Sequence, residues 1–344
     1  MLKIENKFLG KKKPCFVIAE VGLAHDGSVG IAKSFIDLIS DAGADAVKFQ
    51  MHIAEEESSS KEKFRKKFSS QDSTRWDYWK RTSFTIKQWI ELKKYSEKKK
   101  LVFLCSPFSL KAVEILNNLK IAAWKIASGE LSNKIMIKKI LKLSKKPLIL
   151  STGLSDEKEI TSILKFLNKK NICLLQCTSQ YPTEIKNAGH KYIKLFKKKY
   201  KCLSGLSDHT GNINSLLSAI SFGANIIETH VTFNNQFFGP DTASSISFQE
   251  LKFLCTFNQD LNVINNSKFS KKKISLNQKR MIKLFTKSLV LNKDKIKGEK
   301  IKLDDLDAKK PLVGIKSSEF KKLVGKKIKF NLSKGTFLKK NHFK

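Results

Sequence analysis

Two histidines, His209 and His230, stand 21 positions apart, each near the end of an apolar run, and Asp241 follows eleven residues after the second. Such a pair suits a divalent ion that keeps coordination positions open to water or substrate, and an ion held there would polarise a carbonyl as a Lewis acid. Packed or hydrogen-bonded imidazoles are the other reading of the same residues. Lys48 and Lys125 lie inside otherwise apolar runs, where an ammonium is costly to bury unless an anion or a carboxylate meets it. Phosphate or carboxylate binding follows, with a Schiff-base lysine as its competitor. Ser128, Ser151 and Ser207, with Gly129, Gly153 and Gly205 nearby, add hydroxyl and backbone N–H donors suited to a phosphate.

These residues need a scaffold that brings them together. Eight short apolar runs recur between amphipathic, Lys-rich segments: residues 15–20, 46–50, 101–105, 122–128, 148–152, 172–177, 203–208 and 225–231. Most gaps hold one helix, as in residues 31–44, where apolar positions recur every three or four residues before Gly43. Eight strand-plus-helix units predict a (β/α)8 barrel of the α/β class, since an open doubly wound sheet has fewer strands. Each run ends in polar residues. Glu20 closes the first, Lys48 and Gln50 the second, Ser106 follows the third, and Lys125 and Ser128 close the fourth; Ser151 ends the fifth, Thr178 follows the sixth, Ser207, Asp208 and His209 close the seventh, and Glu228 and His230 the eighth. In a parallel barrel all these ends share one face, so the set predicts a single site, the bland alternative being barrel-core Lys and Glu that merely satisfy each other.

With 344 residues, 41% of them hydrophobic and 28% charged, the chain has material for one large and one small domain, and no apolar run reaches the roughly 20 residues of a membrane helix. The N-terminal MLKIENKFLGKKKP lacks the apolar stretch of a secretory signal, which leads to the expectation of a cytoplasmic protein. The six cysteines lack CxxC spacings and read as reduced core thiols. Basic residues outnumber acidic ones 67 to 31, a net charge of +36, but only Arg65, Arg75, Arg81 and Arg280 carry the guanidinium fork on which base and phosphate readers rely. Lysines spread along the whole chain read as compositional drift, with no specific nucleic-acid partner and no membrane partner expected. A polyanion-binding basic protein is the reading from a different class.

The stretches AEVGLAHDG (19–27), VKFQMH (47–52), CSPF (105–108), WKIASGE (124–130), LSTG (150–153), QCTSQYPT (176–183), GLSDHT (205–210), IETHVTF (227–233) and GPD (239–241) resemble, in order, the motif series of the sialic acid synthase family, which includes legionaminic and pseudaminic acid synthases. The resemblance implies an enzyme that condenses phosphoenolpyruvate with the open-chain aldehyde of an acylated amino sugar and releases phosphate, using Mn2+ or a similar ion such as Mg2+ or Co2+. It implies that His209 and His230 hold the metal, and that Glu20 lies near metal and sugar. Lys48, Lys125, Ser128, Ser151 and Ser207 match phosphoenolpyruvate-binding positions, with Ser106 and Thr178 grouped with the substrate, while Gln50, Tyr181 and Asp241 match the sugar side. Glu228 joins Glu20 as a group that can stabilise a cation or handle protons. A Schiff-base aldolase using pyruvate on the same barrel is the nearest rival.

Ala24 departs from the family's usual Asn, and residues 51–100 form a long segment with Glu55 to Glu57 and the string WDYWKRT at 76–82. Trp76, Tyr78 and Trp79 read as packing of a lid, with sugar stacking as the alternative. The barrel is expected over residues 1–262 and a polar linker over 263–283. Residues 284–344 then read as short strands with Lys-Gly turns, in which KIKGEKI (295–301) echoes LSKGTFL (332–338). This segment resembles the antifreeze-protein-like (SAF, β-clip) domain of the family, which by resemblance closes the site of the partner in a domain-swapped homodimer. The family's sugar-contacting Arg appears as Lys310, which keeps the charge without the fork.

Overall fold

The computed structural model describes residues 2–64, 68–168 and 171–344, in two compact units, residues 1–267 and 268–344. The first unit opens with an antiparallel hairpin, β1 (Leu2–Ile4) and β2 (Lys7–Leu9). Eight parallel strands follow: β3 (Phe16–Gly22), β4 (Ala46–Met51), β5 (Val102–Pro107), β6 (Trp124–Ile126), β7 (Leu148–Ser151), β8 (Ile172–Cys177), β9 (Leu203–Asp208) and β10 (Ile226–Val231). They coincide with the eight apolar runs. Their order, β5-β4-β3-β10-β9-β8-β7-β6, brings the last strand beside the first, and β5 lies next to β6, so the barrel is nearly closed. A two-residue strand, β11 (Ser245–Ile246), pairs with the end of β10.

The period-2 alternation of each strand divides the core in two. Val17, Ala19, Val47, Phe49, Phe103 and Ile227 pack outward against the helices. The helix Val29–Ala42 shows how those helices are built: Phe35, Ile36 and Ile39 are buried on one face, the Ser28 hydroxyl caps its start, and Gly43 at φ 85° closes its end. Phe16, Ile18, Ala46, Val102, Leu104, Ile149, Cys173, Leu175 and Ile226 fill the lower barrel, together with Leu2, Ile4 and Leu9 of the hairpin. Gly205 is required by close approach, because a methyl group there would overlap the Ile226 carbonyl oxygen on the neighbouring strand.

Between β4 and the helix Ile86–Lys98 runs the long second segment. Phe64, Phe68, Trp76, Tyr78 and Trp79 pack around Leu23 and Ala54, and Tyr78 and Trp79 also line the cavity described below. Arg81 pins the segment to the loop after β3 through Asp26 at 2.8 Å and to its own Asp72 at 2.8 Å.

The second unit begins inside the stretch expected to be a linker. The barrel's last helix runs Phe248–Asn265, and a further helix, Leu276–Phe285, precedes β12 (Ser288–Leu291) and its antiparallel partner β13 (Leu306–Lys309). Leu289, Leu291, Ile301, Leu323, Ile328, Leu338 and Phe343 form its core. The two echoed segments meet at Lys295 and Leu332, which exchange backbone hydrogen bonds of 2.9 and 2.8 Å, and Gly298 and Gly335 take positive φ in both turns. Among the described residues no helix is long and apolar enough to cross a membrane.

Candidate active site

One step above the apolar barrel layers, the inward positions turn polar together: Glu20 on β3, Lys48 on β4, Ser106 on β5, Lys125 on β6, Ser151 on β7, Ser207 on β9 and Glu228 on β10, all buried. Their partners interlock. Lys48 pairs with Glu20, lies 3.9 Å from Glu228 and donates to the Ser106 hydroxyl at 3.3 Å. Lys125 lies 3.2 Å from Glu228 and donates to the Ser151 hydroxyl at 2.8 Å, while the Ser207 hydroxyl donates to Glu228 at 3.2 Å.

The electrostatics divide the four charges. Burial pushes the Glu20 carboxyl above the ordinary range, with Lys48 pulling the other way, whereas on Glu228 the pull of Lys125 and Lys48 outweighs burial and holds it below. Burial lowers Lys125 and Glu228 offsets only part of that; for Lys48 burial is outweighed by Glu20 and Glu228, and its charge is favoured. Both oxygens of Glu20 and Oε2 of Glu228 are buried without a hydrogen-bond partner, Glu20 Oε2 being held by its ion pair with Lys48. Leaving such atoms unsatisfied is expensive, so the layer is suited to receiving a ligand more than to holding the fold together.

Two residues further along the strands, Gln50 and His230 open into a cavity of about 600 Å³ that Ser128, Tyr181 and Asp241 also line. The cavity therefore lies at the C-terminal ends of the strands, the functional face of a parallel barrel. Gly153 leaves room beside it: a methyl group there would crowd the hydroxyls of Ser179 and Ser128 and the Cys177 thiol. The Gly153 N–H donates to Ser128 at 3.1 Å. The Ser128 hydroxyl in turn donates to Cys177 at 3.4 Å, while the neighbouring Ser179 hydroxyl is buried without a hydrogen-bond partner.

The ring centroids of His209 and His230 are 5.6 Å apart, with the Tyr181 ring 4.1 Å from that of His209. The Nδ1 of His209 faces the Thr178 carbonyl at 3.0 Å, which leaves Nε2 for another partner. Among the described residues no group of three or more His, Cys, Asp or Glu side chains is placed to hold a metal ion. His209 and His230 stand as a pair of imidazoles without a third such side chain to complete a site with them among the described residues.

Of the residues singled out in the sequence, Glu20, Lys48, Ser106, Lys125, Ser151, Ser207 and Glu228 meet in the buried layer, and Gln50, Ser128, Tyr181, His230 and Asp241 line the cavity above it. Thr178 differs: its hydroxyl is spent on the Asn187 carbonyl at 2.7 Å, and its contribution is the carbonyl that orients His209. Lys310 belongs to the second unit, where its ammonium lies 5.3 Å from the centre of the Phe285 ring. Sequence reading missed Cys177, which is no inert core thiol: its sulfur lies 3.7 Å from His209 Nδ1 and 3.4 Å from the Ser128 hydroxyl. Alternation along β8 carries the signal, since Cys173, Leu175 and Cys177 occupy every second position. His52, Glu57 and Ser179 were missed as well, and all three line the cavity.

A parallel barrel with a buried Lys–Glu–Ser layer beneath a cavity of mixed polar and aromatic lining defines a barrel enzyme whose site is built from strand ends. The chain belongs to the NeuB family, which residues 35–270 match, and residues 286–344 match the SAF domain. It is 36% identical over 322 residues to the N,N'-diacetyllegionaminic acid synthase of Campylobacter jejuni, covering 91% of this chain and 96% of that protein. It is 30% identical over 339 residues to a pseudaminic acid synthase of Campylobacter jejuni, covering 96% and 97%. In structure it resembles the N-acetylneuraminic acid synthetase of Leptospira borgpetersenii with a TM-score of 0.69 and 28% identity, over 82% of this chain and 94% of that one. Its homologues are thus sialic, legionaminic and pseudaminic acid synthases, and it is an enzyme.

Proposed function

We propose that the protein condenses phosphoenolpyruvate with the aldehyde of an N-acylated amino sugar and releases phosphate. The observation that carries this reading is the pair of buried lysines, each tied to a carboxylate and to a serine hydroxyl, below a cavity that Gln50, Ser128, Tyr181, His230 and Asp241 help to line. A doubly or triply charged enol phosphate supplies the negative charge that Lys48 and Lys125 are placed to meet, and the Ser179 hydroxyl, buried without a hydrogen-bond partner beside Gly153, is the donor at hand for one of its oxygens.

The enol carbon C3 attacks the aldehyde carbon, the aldehyde oxygen takes a proton, and C2 is left as an oxocarbenium ion. Water adds to C2 and loses a proton, and the C2–O bond to phosphate breaks to give the keto acid. Glu20 and Glu228, with their open oxygens, are the groups at hand to stabilise the cation and accept the proton from water. His209 and His230 would hold a divalent ion, Mn2+ by preference, which supplies Lewis-acid polarisation of the aldehyde when bound. Gln50, Tyr181 and Asp241 orient the sugar. Lys310, a homodimer and a cytoplasmic location belong to the same proposal: Lys310→Ala raises the sugar KM and leaves that for phosphoenolpyruvate unchanged, and light scattering gives the mass of two chains.

The test is phosphate release from phosphoenolpyruvate with Mn2+ and a panel of acylated amino sugars. Sugar-dependent release supports the reading; release independent of every sugar contradicts it. The aldolase rival rests on Lys125 or Lys48, whose ammonium groups are tied to Glu228 and Ser151 and to Glu20 and Ser106 respectively, and borohydride trapping with pyruvate separates the two.

A further inference from the structure

One feature of the cavity wall is not used by that chemistry. His52, the residue after β4, is buried between two aromatic rings: Trp79 lies 4.8 Å away at 8° to its plane and Phe108 4.2 Å away at 19°. Stacking from both sides fixes the plane of the imidazole, so its two nitrogens have fixed targets. Nδ1 lies 2.7 Å from a carboxylate oxygen of Glu57, on the short helix Ala54–Glu57, and Nε2 lies 3.1 Å from the side-chain oxygen of Gln50. The Ser83 hydroxyl donates to the His52 carbonyl at 3.1 Å and steadies the backbone at this point.

The direction of each bond follows from the chemistry of the partners. An ionised carboxylate only accepts, so Nδ1 carries its hydrogen and donates to Glu57. A primary amide offers an oxygen on one side and an NH2 on the other, and it turns whichever end its neighbour requires. Gln50 turns its oxygen to Nε2 at 3.1 Å, so this nitrogen too must carry a hydrogen, the ring then holding one on each nitrogen, and the NH2 of the amide is left for the site. That NH2 borders the site: a methyl-sized point above Gly22 lies 3.6 Å from Gln50 Nε2, 3.5 Å from Glu20 Oε1 and 3.6 Å from His230 Cε1. Were Nε2 bare, the amide would have to reverse and present its carbonyl there instead.

We propose that His52 is a positioning residue that, held by Glu57 and clamped by Trp79 and Phe108, fixes the amide of Gln50 with its NH2 toward the substrate. The site then selects an acceptor, a hydroxyl or carbonyl oxygen of the sugar, at the point where Gln50, Glu20 and His230 converge. Arg75 lies 4.5 Å from the centre of the Trp79 ring and also lines the cavity. The proposal rests on the sugar-binding reading above, and it assigns to the Gln50–His52–Glu57 chain the choice of which end of the amide the sugar meets.

The test is a double-mutant cycle read in sugar and phosphoenolpyruvate kinetics. Glu57→Gln keeps the shape and the aromatic clamp but removes the partner that can only accept. In the otherwise native enzyme it is expected to lower kcat/KM for the sugar about 10-fold or more, the size typical of a lost orienting partner, with the KM for phosphoenolpyruvate unchanged. In a Gln50→Ala background the same change is expected to have an effect of less than about 2-fold, because the residue it acts through is gone. Equal effects in both backgrounds, or an equal rise in both KM values, would overturn the proposal by showing a structural role. A second readout needs no turnover: 15N resonances of the His52 ring report whether each nitrogen carries hydrogen. Both protonated in the native protein and one bare in Glu57→Gln supports the proposal; a bare Nε2 in the native protein refutes it. An enzyme inactive with every sugar but showing the expected resonances would count against the proposed reaction and not against the clamp.

Discussion

The lower and upper halves of the barrel interior are built from the same eight strands, two residues apart, and could hardly differ more. Below, Phe16, Ile18, Val102, Leu104, Ile149 and Leu175 close on Leu2, Ile4 and Leu9 of the hairpin with apolar side chains throughout. Above, at the next inward positions, two lysines, two glutamates and three serines fill the same cross-section. The lower half obeys the ordinary economy of a core, in which buried area offsets lost chain entropy. The upper half runs against it, with three carboxylate oxygens of Glu20 and Glu228 buried without a hydrogen-bond partner. The difference teaches that stability and function are separated along each strand by a single period of the pleat, stability nearer the N-terminal end and chemistry at the C-terminal end.

The largest effect expected from breaking this separation is in the upper half. Lys125→Met, which keeps the length and removes the charge, should lower kcat by about 10²–10³-fold, the usual cost of one preorganised electrostatic partner, while circular dichroism remains that of a folded barrel. His209→Ala and His230→Ala should abolish turnover and weaken Mn2+ binding measured by calorimetry, again with the fold intact. Native metal affinity in either variant would break the assignment of the metal to this pair.

In the lower half the outcome should invert. Leu104→Ala is expected to cost about 2–5 kcal/mol of stability as a cavity opens in a fully buried site. The protein that remains folded should keep its KM for phosphoenolpyruvate. A change in KM without a change in melting temperature would show that the two halves are not separable.

The second unit sharpens the comparison, because it buries charge for structure alone. Asp305 is fully buried and paired with Lys293 at 2.7 Å and Lys295 at 3.0 Å. Burial raises its carboxyl, but the two lysines and the Lys302 backbone N–H outweigh that and hold it well below the ordinary range. A carboxyl depressed on folding contributes stability above its unfolded value of about 3.9, and that contribution is lost as the pH falls toward the folded value. Asp305→Asn should therefore lower the stability of this unit at neutral pH and flatten its acid dependence, followed by denaturant melts between neutrality and acid. The smallest effect concerns the lysine-rich surface. Duplex DNA should bind without sequence preference and release steeply with salt; a salt-resistant, sequence-specific complex would show that the charge is more than compositional drift.

Much of this was legible in the chain itself. Strands of a parallel barrel are covered on both faces, so they read as short apolar runs, and the polar residues that interrupt them, Glu20, Lys48, Lys125 and Glu228, stood out because nothing in a core calls for them. The hairpin at the N-terminus was not legible: LKI and KFL are too short for periodicity, and the burial of Leu2, Ile4 and Leu9 depends on a barrel mouth made by distant strands. The helix Leu276–Phe285 was read in part as a linker because its apolar residues are mostly bunched at its end among polar neighbours and none is buried. His52 escaped notice for a related reason. Its neighbours Trp79 and Phe108 are 27 and 56 positions away, and its role exists only once three segments have met.

The central claim is that the upper layer of the barrel handles an enol phosphate and expels phosphate by cleavage at carbon. Phosphoenolpyruvate labelled with 18O at the oxygen bridging C2 and phosphorus tests it most directly, with the product phosphate examined by mass spectrometry after turnover with the accepted amino sugar. The account predicts that the label appears in inorganic phosphate and that pyruvate does not replace the labelled substrate. Label retained in the organic acid, with unlabelled phosphate released, would contradict it.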